Sequence, residues 1–515
     1  MDVHHDMGSR RARGITILTL VGVVLVAASQ AGAPAAAASR DALVRAHGAR
    51  VEFRAPAPPR LRWKACEDAP TVQCATLRVP VNWSRPQRPT VSLALTRRPA
   101  ADRSRRVGSL LFNCGGPGCP GAQVVKMLPD VFTDTLRERF DIVGFDPRAT
   151  GDSTPIRCGL PSSDPTIPIY PATEADYNRL VAFNKALARS CRQMSGAYLM
   201  NVGSSQVIRD MEAIRASLRD GKLNWLGLSY GTMLGALYAE RYPKRIRTLA
   251  LDGLLDRGLS EPGMLAAEAR AAEDGFERWA AWCATSPECP LQGQDVLKVW
   301  DDLIAAADSS PIPASSVNRG VSGEEIQNTT DGVFLLFKRP TAFAPVSWLS
   351  IGPAIVKALN GDASEFADES GTPPKDPAYG ERAISCLELP TQVHNFAEFV
   401  GRTTIARIIA PHLGGANQTG RVITQCIGWP RPRSNPRHFL NIKGAPPALI
   451  VNATHDPSTS YVWALSVQAQ IPRSVLLTRD GDGHTSYLSS QCAQEAIDRY
   501  LIDRVLPSPG TVCHD

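Results

Sequence analysis

Short apolar runs alternate with longer amphipathic stretches from residue 108 onward. The runs are GSLLFN, FDIVGFD, LNWLGLS, IRTLALDG, ALIVNAT and SVLLTRD, which begin at Gly108, Phe140, Leu223, Ile246, Ala448 and Ser474. Such runs are typical of strands, and their alternation with helical patterns is typical of a parallel sheet built from βαβ units. Each run ends in a loop containing Gly, Asp, Asn, Ser or His, and ligands in open α/β sheets bind at these carboxyl ends. The pattern therefore predicts an α/β fold with a mostly parallel central sheet and its functional loops along one edge.

Two regions depart from this alternation. Before it, CATLRVPVNW and TVSLALTRR predict an antiparallel pair of strands separated by the turn SRPQRP. Within residues 256–436, the segments MLAAEARAAEDGFERWAAWCA and DVLKVWDDLIAAAD have helical patterns, and strand-like runs have no regular spacing. We expect residues 61–255 and 437–515 to form the core. Residues 256–436 are expected to form a largely helical cap, inserted between the sixth and seventh strands over the functional edge of the sheet.

The N-terminus has the organisation of an export signal. A stretch with arginines at positions 10, 11 and 13 precedes the apolar run ITILTLVGVVLVAA, and the small residues of AGAPAAAASR follow. This run is shorter than the roughly 20 apolar residues that a membrane-spanning helix needs. We therefore predict a cleaved signal peptide over residues 1–38 and a linker or propeptide over residues 39–60. The mature protein is expected to be secreted, extracellular or cell-wall associated, without a stable membrane anchor.

Composition and charge narrow the range of partners. The 515 residues are 43% hydrophobic and 21% charged, which is typical of a globular protein. The net charge of +6 is modest for this length, and the sequence has no run of lysine or arginine with interleaved aromatic residues. Nucleic acid is therefore not expected as a partner.

All twelve cysteines follow the predicted signal peptide, and none belongs to a C-x-x-C pair. An even number of cysteines in an exported chain favours disulfides over free thiols. Proximity along the sequence suggests the pairs Cys66 with Cys74, Cys283 with Cys289, and Cys492 with Cys513. The cysteines left for longer loops are Cys158, Cys191, Cys386 and Cys426.

The strongest chemical motif is G-x-S-x-G, which Gly227, Ser229 and Gly231 form between an apolar run and a helical pattern. A nucleophile elbow needs this context, because small residues must flank a serine held on a tight strand-to-helix turn. The serine attacks only when a histidine accepts its proton and an acid orients that histidine. The chain order in such a fold is serine, acid, histidine. Asp456 after ALIVNAT and His484 after SVLLTRD follow in that order.

Other residues compete for these roles. Asp252 follows the preceding strand, and Asp480 and Asp482 lie beside the histidine in the sequence. We interpret Asp252 as a structural residue at a polar strand end, and Asp480 and Asp482 as residues that shape the histidine loop. His455, adjacent to Asp456, is interpreted as an ordinary histidine at a strand end.

The glycine-rich stretch LFNCGGPGCPG follows the strand predicted at Gly108. In the fold that carries a nucleophile elbow, the oxyanion hole uses the amide after the nucleophile, here that of Tyr230, and one from the loop after the third strand. The spacing of Cys114 and Cys119 fits neither a metal site, because further ligands are missing nearby, nor a C-x-x-C redox site. We hypothesise that these two cysteines form a bridge that clamps the loop, which requires their Cα atoms to lie within roughly 7 Å.

These motifs together resemble a known family. The marks are CATLRVPVNWSRP, GGPG, FDIVGFDPR, GLSYGT, LALDG, HDPSTSY, GDGH and the tail CAQEAIDRYLIDRVLPSPGTVC. From about Trp63 to Cys513 the chain is similar to the secreted tripeptidyl aminopeptidase-like α/β-hydrolase family, which is related to proline iminopeptidases and to actinobacterial cell-envelope carboxylesterases and proteases. The resemblance implies the α/β-hydrolase fold and a serine hydrolase that needs no cofactor or metal. Members of the family remove tripeptides or single residues from free peptide N-termini, or cleave esters.

The resemblance also implies roles for single residues. The nucleophile of the family falls on Ser229, its acid on Asp456 and its base on His484, in agreement with their positions. The oxyanion loop of the family falls on residues 115–118, and within it we expect Gly116 to be the second donor. An acidic residue of the cap is expected to hold the substrate ammonium group, and Glu388 in ISCLELP is the candidate.

The sequence departs from the family in the oxyanion loop. The family usually has N-P-G-G-P-G-G-S-G, so Cys114 and Cys119 replace a proline and a glycine, and Pro120 replaces a serine. Ala149 in DPRATGDS stands where glycine is usual. These departures leave the triad unchanged and indicate an unusual shape of the acyl or leaving-group pocket.

The sequence thus predicts an exported serine hydrolase that releases tripeptides or other short N-terminal peptides. A carboxylesterase or lipase-like hydrolase acting on a small acyl substrate is the alternative within the same chemistry. The alternative from another class is a non-catalytic secreted binding protein on a hydrolase scaffold, and an intact triad argues against it.

Overall fold

The computed structural model describes residues 60–342, 344–367, 377–389, 391–430 and 436–514. The predicted signal peptide and nearly all of the predicted linker lie outside these residues. Within them, no helix is long and apolar enough to cross a membrane.

A single ten-stranded sheet organises the fold. Its order is β1-β2-β3-β5-β4-β6-β7-β10-β11-β12, in which neighbours from β1 to β5 pair antiparallel and all later neighbours pair parallel. The strands are β1 Lys64–Ala65, β2 Gln73–Pro80, β3 Thr90–Arg98, β4 Gly108–Asn113, β5 Phe140–Phe145, β6 Leu223–Leu228, β7 Ile246–Asp252, β10 Leu449–His455, β11 Val475–Asp482 and β12 Val512–His514. The mostly parallel sheet and the antiparallel β2–β3 pair predicted from the sequence are confirmed.

The described part of the chain has fourteen α-helices. They are α1 Gly121–Met127, α2 Asp134–Arg139, α3 Glu174–Ser195, α4 Ser204–Leu218, α5 Tyr230–Arg241, α6 Glu261–Thr285, α7 Val296–Ser309, α8 Gly323–Gly332, α9 Trp348–Leu359, α10 Ala378–Glu388, α11 Phe396–Ile409, α12 Gln418–Cys426, α13 Tyr461–Gln470 and α14 Gln491–Asp503. Several begin where a side chain accepts a free amide of the first turn, as Thr173 does for α3 and Ser260 for α6.

The central strands are buried because helices cover both faces of the sheet. All six residues of β4, β5 and β6 are buried. Alternate side chains enter different apolar clusters: Leu111 and Trp225 point into one, whereas Leu110, Phe112 and Leu226 point into the other. This two-sided burial explains why these strands appear in the sequence as continuous apolar runs.

The long insertion lies between β7 and β10, the sixth and seventh strands when counted from β2. It contains α6 to α12 and has its own apolar cluster, to which Trp279, Trp300 and Trp348 contribute. It also contains a small antiparallel pair, β8 Ile312–Ala314 with β9 Arg319–Val321, which the sequence analysis did not predict. Strands of three residues are too short to give a periodic signal.

Part of the predicted core range contacts the insertion. Asn184 on α3 donates hydrogen bonds through Nδ2 to the carbonyls of Thr424 (2.8 Å) and Ile427 (2.9 Å). Residues that precede β6 therefore help to support the inserted helices, although the segment lies within the range 61–255 that we expect to form the core.

Six disulfides join the twelve cysteines, and none is left free. The pairs are Cys66–Cys74, Cys114–Cys119, Cys158–Cys191, Cys283–Cys289, Cys386–Cys426 and Cys492–Cys513. The three pairs predicted from proximity are confirmed, as is the bridge hypothesised in the glycine-rich loop. The last bridge ties β12 at the edge of the sheet to α14.

Candidate active site

Ser229 lies on the turn between β6 and α5. It has φ 52° and ψ −122°, a backbone conformation that residues other than glycine rarely adopt. Its amide donates to the carbonyl of Asp252 at 2.9 Å, which ties the turn to the end of β7. A strained serine between a buried strand and a helix is the geometry of a nucleophile elbow.

Two glycines allow this turn to be so tight. A Cβ atom on Gly227 would lie 2.4 Å from the carbonyl oxygen of Gly231, and one on Gly115 would lie 2.8 Å from Cβ of Ser229. Both distances are far below van der Waals contact, so a side chain at either position would push the helix or the glycine-rich loop away from Ser229. Glycine at the first position of the G-x-S-x-G motif therefore has a steric cause.

Asp456 and His484 form a buried pair. Nδ1 of His484 lies 3.0 and 2.9 Å from the two carboxylate oxygens of Asp456, and the exposed fractions of the two residues are 7% and 1%. Burial alone would raise the pKa of Asp456, but the charge and hydrogen bond of His484 and the hydrogen bonds from Thr459 lower it below its ordinary value. The carboxylate is thus ionised and oriented towards the imidazole.

Thr459 is a member of this group that the sequence analysis missed. Its hydroxyl donates to Oδ2 of Asp456 at 2.8 Å and lies 3.2 Å from Nδ1 of His484. The amides of Ser458 and Thr459 also donate to Asp456 at 2.9 and 2.8 Å. An aspartate followed two and three residues later by serine and threonine is a turn signature that could have indicated these contacts.

The side chains that compete with Asp456 point elsewhere. The carboxylate of Asp252 accepts the amides of Ser486 and Tyr487 at 2.7 to 2.9 Å, and burial raises its pKa to about 6. Asp480 lies 3.4 Å from the hydroxyl of Thr454, and His455 pairs with Asp274 at 2.7 Å. None of these contacts involves the ring of His484.

Asp482 also points away from the histidine ring. It forms ion pairs with Arg278 and Lys338, two residues of the insertion. Asp482 therefore does more than shape the histidine loop, the role expected from the sequence, because it also joins that loop to the insertion.

The glycine-rich loop brings backbone amides to Ser229. The Cα atoms of Cys114 and Cys119 are 5.8 Å apart in their disulfide, which closes the loop around Gly116. Gly116 and Tyr230 line the same cavity as Ser229. Among the hydrogen bonds of the described residues, neither the Gly116 amide nor the Tyr230 amide has an acceptor within the protein. Two free donors beside a serine hydroxyl are what an oxyanion hole requires.

The ring of His484 lies beside Gly253, which follows β7 directly, because a Cβ atom on that glycine would be 3.2 Å from Cε1 of the ring. A hydrogen bond between Ser229 Oγ and His484 Nε2 is not among those of the described residues. Such bonds often tighten only when substrate binds.

The cavity above Ser229 lies between the sheet edge and the inserted helices. It is narrow, with about 60 Å³ of space for the centres of water-sized molecules. Its walls include Met233, Leu255, Val422 and Trp463, so most of its surface is apolar. The charged residues of its lining are Glu268 on α6 and Glu388 on α10.

Glu388 lines this cavity, as expected for a residue near the substrate. Its carboxylate is already engaged, however, because it accepts hydrogen bonds from the amide and hydroxyl of Ser204 and forms a buried ion pair with Arg257. A substrate ammonium group at Glu388 would therefore have to share the carboxylate with a guanidinium group.

Glu268 on α6 is a second carboxylate in the same cavity, and the sequence analysis missed it. It is 3% exposed and accepts the amide of Thr419 at 2.6 Å. No lysine or arginine of the described residues forms an ion pair with it. Burial raises the pKa of Glu268 to about 8. The helix pattern gave no sign of this role, because α6 carries several acidic residues and only the packing decides which one faces the cavity.

One further cluster has the composition of a metal site. Carboxylate oxygens of Glu273 and Glu277 and a ring nitrogen of His412 lie within 4.8 Å of one another in the insertion. Glu273 accepts the amides of His412 (2.9 Å) and Leu413 (3.2 Å), and the ring of His412 pairs with Asp301. These contacts within the protein account for the cluster.

The fold, the serine on a strand-to-helix turn and the buried carboxylate–histidine pair are those of the α/β-hydrolase class of serine hydrolases. Comparison with known proteins gives the same class. Residues 108–324 match the family described as alpha/beta hydrolase fold, and residues 412–513 match the family described as TAP-like protein. The chain belongs to the tripeptidyl aminopeptidase-like family of α/β hydrolases.

Three relatives cover nearly the whole chain. The serine protease Hip1 of Mycobacterium tuberculosis is 29% identical over 483 residues, which cover 88% of this chain and 91% of that protein. Carboxylesterase B of the same species is 30% identical over 482 residues, with coverage of 88% and 90%. A tripeptidyl aminopeptidase of Streptomyces lividans is 27% identical over 487 residues, with coverage of 89% and 87%. The protein is thus a peptidase-like serine hydrolase.

The raised pKa of Glu268 predicts a pH-dependent stability. A carboxyl group whose pKa rises from about 4.5 in the unfolded chain to about 8 in the fold stabilises the protein fully below pH 4.5 and loses that contribution as the pH rises through 8. In Glu268→Gln the side chain no longer ionises, so the variant does not lose stability in this pH range. We expect the melting temperature of the variant, relative to wild type, to increase by about 2–4 °C between pH 5 and pH 9.

Differential scanning fluorimetry across this pH range measures the effect. Glu277→Gln, on the exposed side of the same helix, is the matched control and is expected to keep a constant difference from wild type. A constant difference for Glu268→Gln as well would contradict the assignment of the raised pKa.

Proposed function

We propose that the protein is an exported serine aminopeptidase that releases short peptides, most simply tripeptides, from free N-termini. The observation that carries this proposal is Glu268, a buried carboxyl group in the cavity of Ser229 that forms no ion pair with a described lysine or arginine. Burial keeps this group largely protonated, and a neutral acyl group would not change that state. A peptide ammonium group would instead stabilise its ionised form and be bound by it.

The proposed reaction begins with attack of Ser229 Oγ on the scissile carbonyl carbon. His484 accepts the hydroxyl proton through Nε2, because Nδ1 faces Asp456. The imidazolium then donates that proton to the leaving amine as the carbon–nitrogen bond breaks, which leaves an ester on Ser229. Water, deprotonated by His484, hydrolyses the ester and releases the N-terminal fragment.

Asp456 and Thr459 hold the histidine in this mechanism. The ionised carboxylate fixes the tautomer with hydrogen on Nδ1 and stabilises the imidazolium that forms during the reaction. The hydroxyl of Thr459 donates to the same carboxylate, so that it limits rotation of Asp456. Thr459 is thus a positioning residue in the proposed site.

The amides of Tyr230 and Gly116 are proposed to hold the oxyanion of each tetrahedral intermediate. Tyr230 is the first residue of α5, so its amide has no acceptor within the helix. The partial positive charge at this helix terminus adds to the stabilisation. The Cys114–Cys119 bridge limits the conformations of the Gly116 loop, so that its donor is oriented before the substrate arrives.

Glu268, rather than Glu388 alone, is proposed to bind the substrate ammonium group. The Arg257 guanidinium already pairs with Glu388, whereas Glu268 has no ion pair with a described cation and only the more distant charge of Arg421 lowers its pKa. An incoming ammonium group would stabilise the ionised form of Glu268, whose pKa of about 8 leaves it largely protonated near neutral pH. The depth of the cavity between Glu268 and Ser229 would then set the length of the released peptide.

Export is part of the proposal. Six disulfides in one chain are typical of proteins that fold in an oxidising compartment, and the predicted signal peptide over residues 1–38 agrees with that location. A carboxylesterase would use the same Ser229 chemistry. A binding protein on this scaffold would need neither the strained serine nor the ionised Asp456.

A comparison of free and blocked substrates tests the proposed function. We expect hydrolysis of Ala-Ala-Ala-p-nitroanilide, with kcat/KM lower by about 100-fold for its N-acetyl form, because the blocked terminus leaves a buried carboxyl group without its partner. Glu268→Gln should raise KM for the free substrate and leave hydrolysis of p-nitrophenyl butyrate within about twofold of wild type. Glu277→Gln serves again as the surface control.

Three results would reject the proposal. Equal cleavage of the free and acetylated anilides would mean that the terminal amine is not recognised. Hydrolysis of the butyrate ester with no cleavage of any peptide would support the esterase alternative, and inactivity on all three substrates would support the binding protein.

The disulfide of the glycine-rich loop gives a separate prediction. In the double variant Cys114→Ser/Cys119→Ser, kcat should fall by about 10- to 100-fold with little change in KM, because a less ordered oxyanion donor weakens binding of the transition state more than binding of the substrate. The double variant Cys66→Ser/Cys74→Ser, which also opens a short loop but at the far edge of the sheet, is the matched control. A kcat equal to that of this control would show that the bridge has no part in catalysis.

A further inference from the structure

The loop that carries His484 contacts the insertion directly. The amide of His484 donates to the carbonyl of Leu336 at 2.6 Å. Leu336 ends a 3₁₀ turn, Phe334–Leu336, in the insertion between α8 and α9. The backbone of the proposed catalytic base is therefore held by a segment outside the sheet.

Asp482, two residues earlier, makes a second contact across the same boundary. Its carboxylate forms ion pairs with Arg278 on α6 and with Lys338, whose Nζ lies 2.9 Å from Oδ2. The Asp482 side chain is 5% exposed, whereas those of Arg278 and Lys338 are 41% and 45% exposed. Two cations of the insertion thus converge on one buried anion of the histidine loop.

The sheet holds the other side of this loop. The buried Arg479 donates through Nη2 to the carbonyls of Asp482 (2.9 Å) and Gly483 (2.7 Å). The amide of Gly483 donates to the carbonyl of His455 at 3.0 Å. The loop therefore lies between a fixed contact with the sheet and a set of contacts with the insertion.

The contacting segment is itself anchored inside the insertion. The amide of Trp348 donates to the carbonyl of Phe337 at 3.0 Å, and Nζ of Lys338 lies 5.4 Å from the centre of the Trp348 ring. Leu335 and Phe337 are buried. A displacement of the inserted helices would carry residues 336–338 with it, and with them the contacts to His484 and Asp482.

From these contacts we propose that Asp482 is a positioning residue. Its ion pairs with the insertion hold the loop that carries His484, so the position of the insertion controls the position of His484. With the Asp482–Lys338 and Asp482–Arg278 pairs formed, the carbonyl of Leu336 holds the His484 amide and fixes the backbone of the proposed base. Without them, the ring keeps its contact with Asp456, but the backbone that carries it shifts and moves the ring from its best position for Ser229. This inference rests on the proposed roles of Ser229 and His484.

Steady-state kinetics on p-nitrophenyl butyrate test the coupling, since so small a substrate makes few contacts with the insertion. Asp482→Asn and Lys338→Met should each lower kcat by about tenfold with KM within about twofold, because displacing a catalytic group by about 1 Å can cost up to 100-fold. The double variant should lose no more than Asp482→Asn alone, since both changes break the same ion pair. Lys338→Met keeps the Arg278 pair, so it remains informative even when Asp482→Asn folds poorly.

Arg339→Met is the matched control. Arg339 is adjacent to Lys338 and pairs with Glu288 at 2.6 Å, within the insertion and away from the histidine loop. Its kcat should equal that of wild type. Wild-type kcat in both Asp482→Asn and Lys338→Met, or an equal loss in Arg339→Met, would overturn the coupling.

The variant Ser229→Ala distinguishes a failure of the proposed coupling from a failure of the proposed serine mechanism. Inactive Ser229→Ala together with wild-type kcat in the ion-pair variants would reject the coupling and leave the serine mechanism intact. Activity that persists in Ser229→Ala would reject the serine mechanism and the coupling with it.

Discussion

The tight turn at Ser229 is the constraint on which the rest of the site depends. Its backbone conformation is maintained because the amide of Ser229 bonds to Asp252 at the end of β7, and because the neighbouring glycines admit no side chain. The carboxylate of the same aspartate accepts the amides of Ser486 and Tyr487, just after His484. One residue at a strand end therefore fixes both the proposed nucleophile and the proposed base.

The charged groups and hydrogen-bond donors near this turn determine the pKa values of the two carboxyl groups beside the cavity. Asp456 stays ionised despite burial because His484 and several hydrogen-bond donors surround it, whereas Glu268 has hydrogen bonds from Thr419 only and no ion pair with a described lysine or arginine. The two carboxylates thus have opposite pKa shifts, although both are almost completely buried. The opposite shifts suit Asp456 to orienting the imidazole of His484 and suit Glu268 to binding a charged ligand.

Much of the site could be predicted from the sequence because its signals are local. Continuous apolar runs predicted the central strands, and the G-x-S-x-G spacing located Ser229 through a steric requirement of adjacent residues. Asp456 and His484 were placed by chain order at strand ends, and the Cys114–Cys119 bridge followed from spacing. The roles of these residues in catalysis stay predictions, supported by their geometry.

Other features depend on contacts between distant segments, which a single sequence does not reveal. Glu268 is one of several acidic residues on α6, and only the packing of that helix turns it towards Ser229. The contact of Asp482 with Lys338 joins residues 144 positions apart. The interpretation of Asp482 as a loop-shaping residue was therefore incomplete, because its partners belong to the insertion.

The measurement that tests the central claim most directly is active-site labelling with a fluorophosphonate probe, followed by peptide mapping. The account predicts one equivalent of label on the peptide that contains Ser229, no label in Ser229→Ala, and much slower labelling in His484→Ala. Stoichiometric label on any other residue, or label that persists in Ser229→Ala, would contradict it.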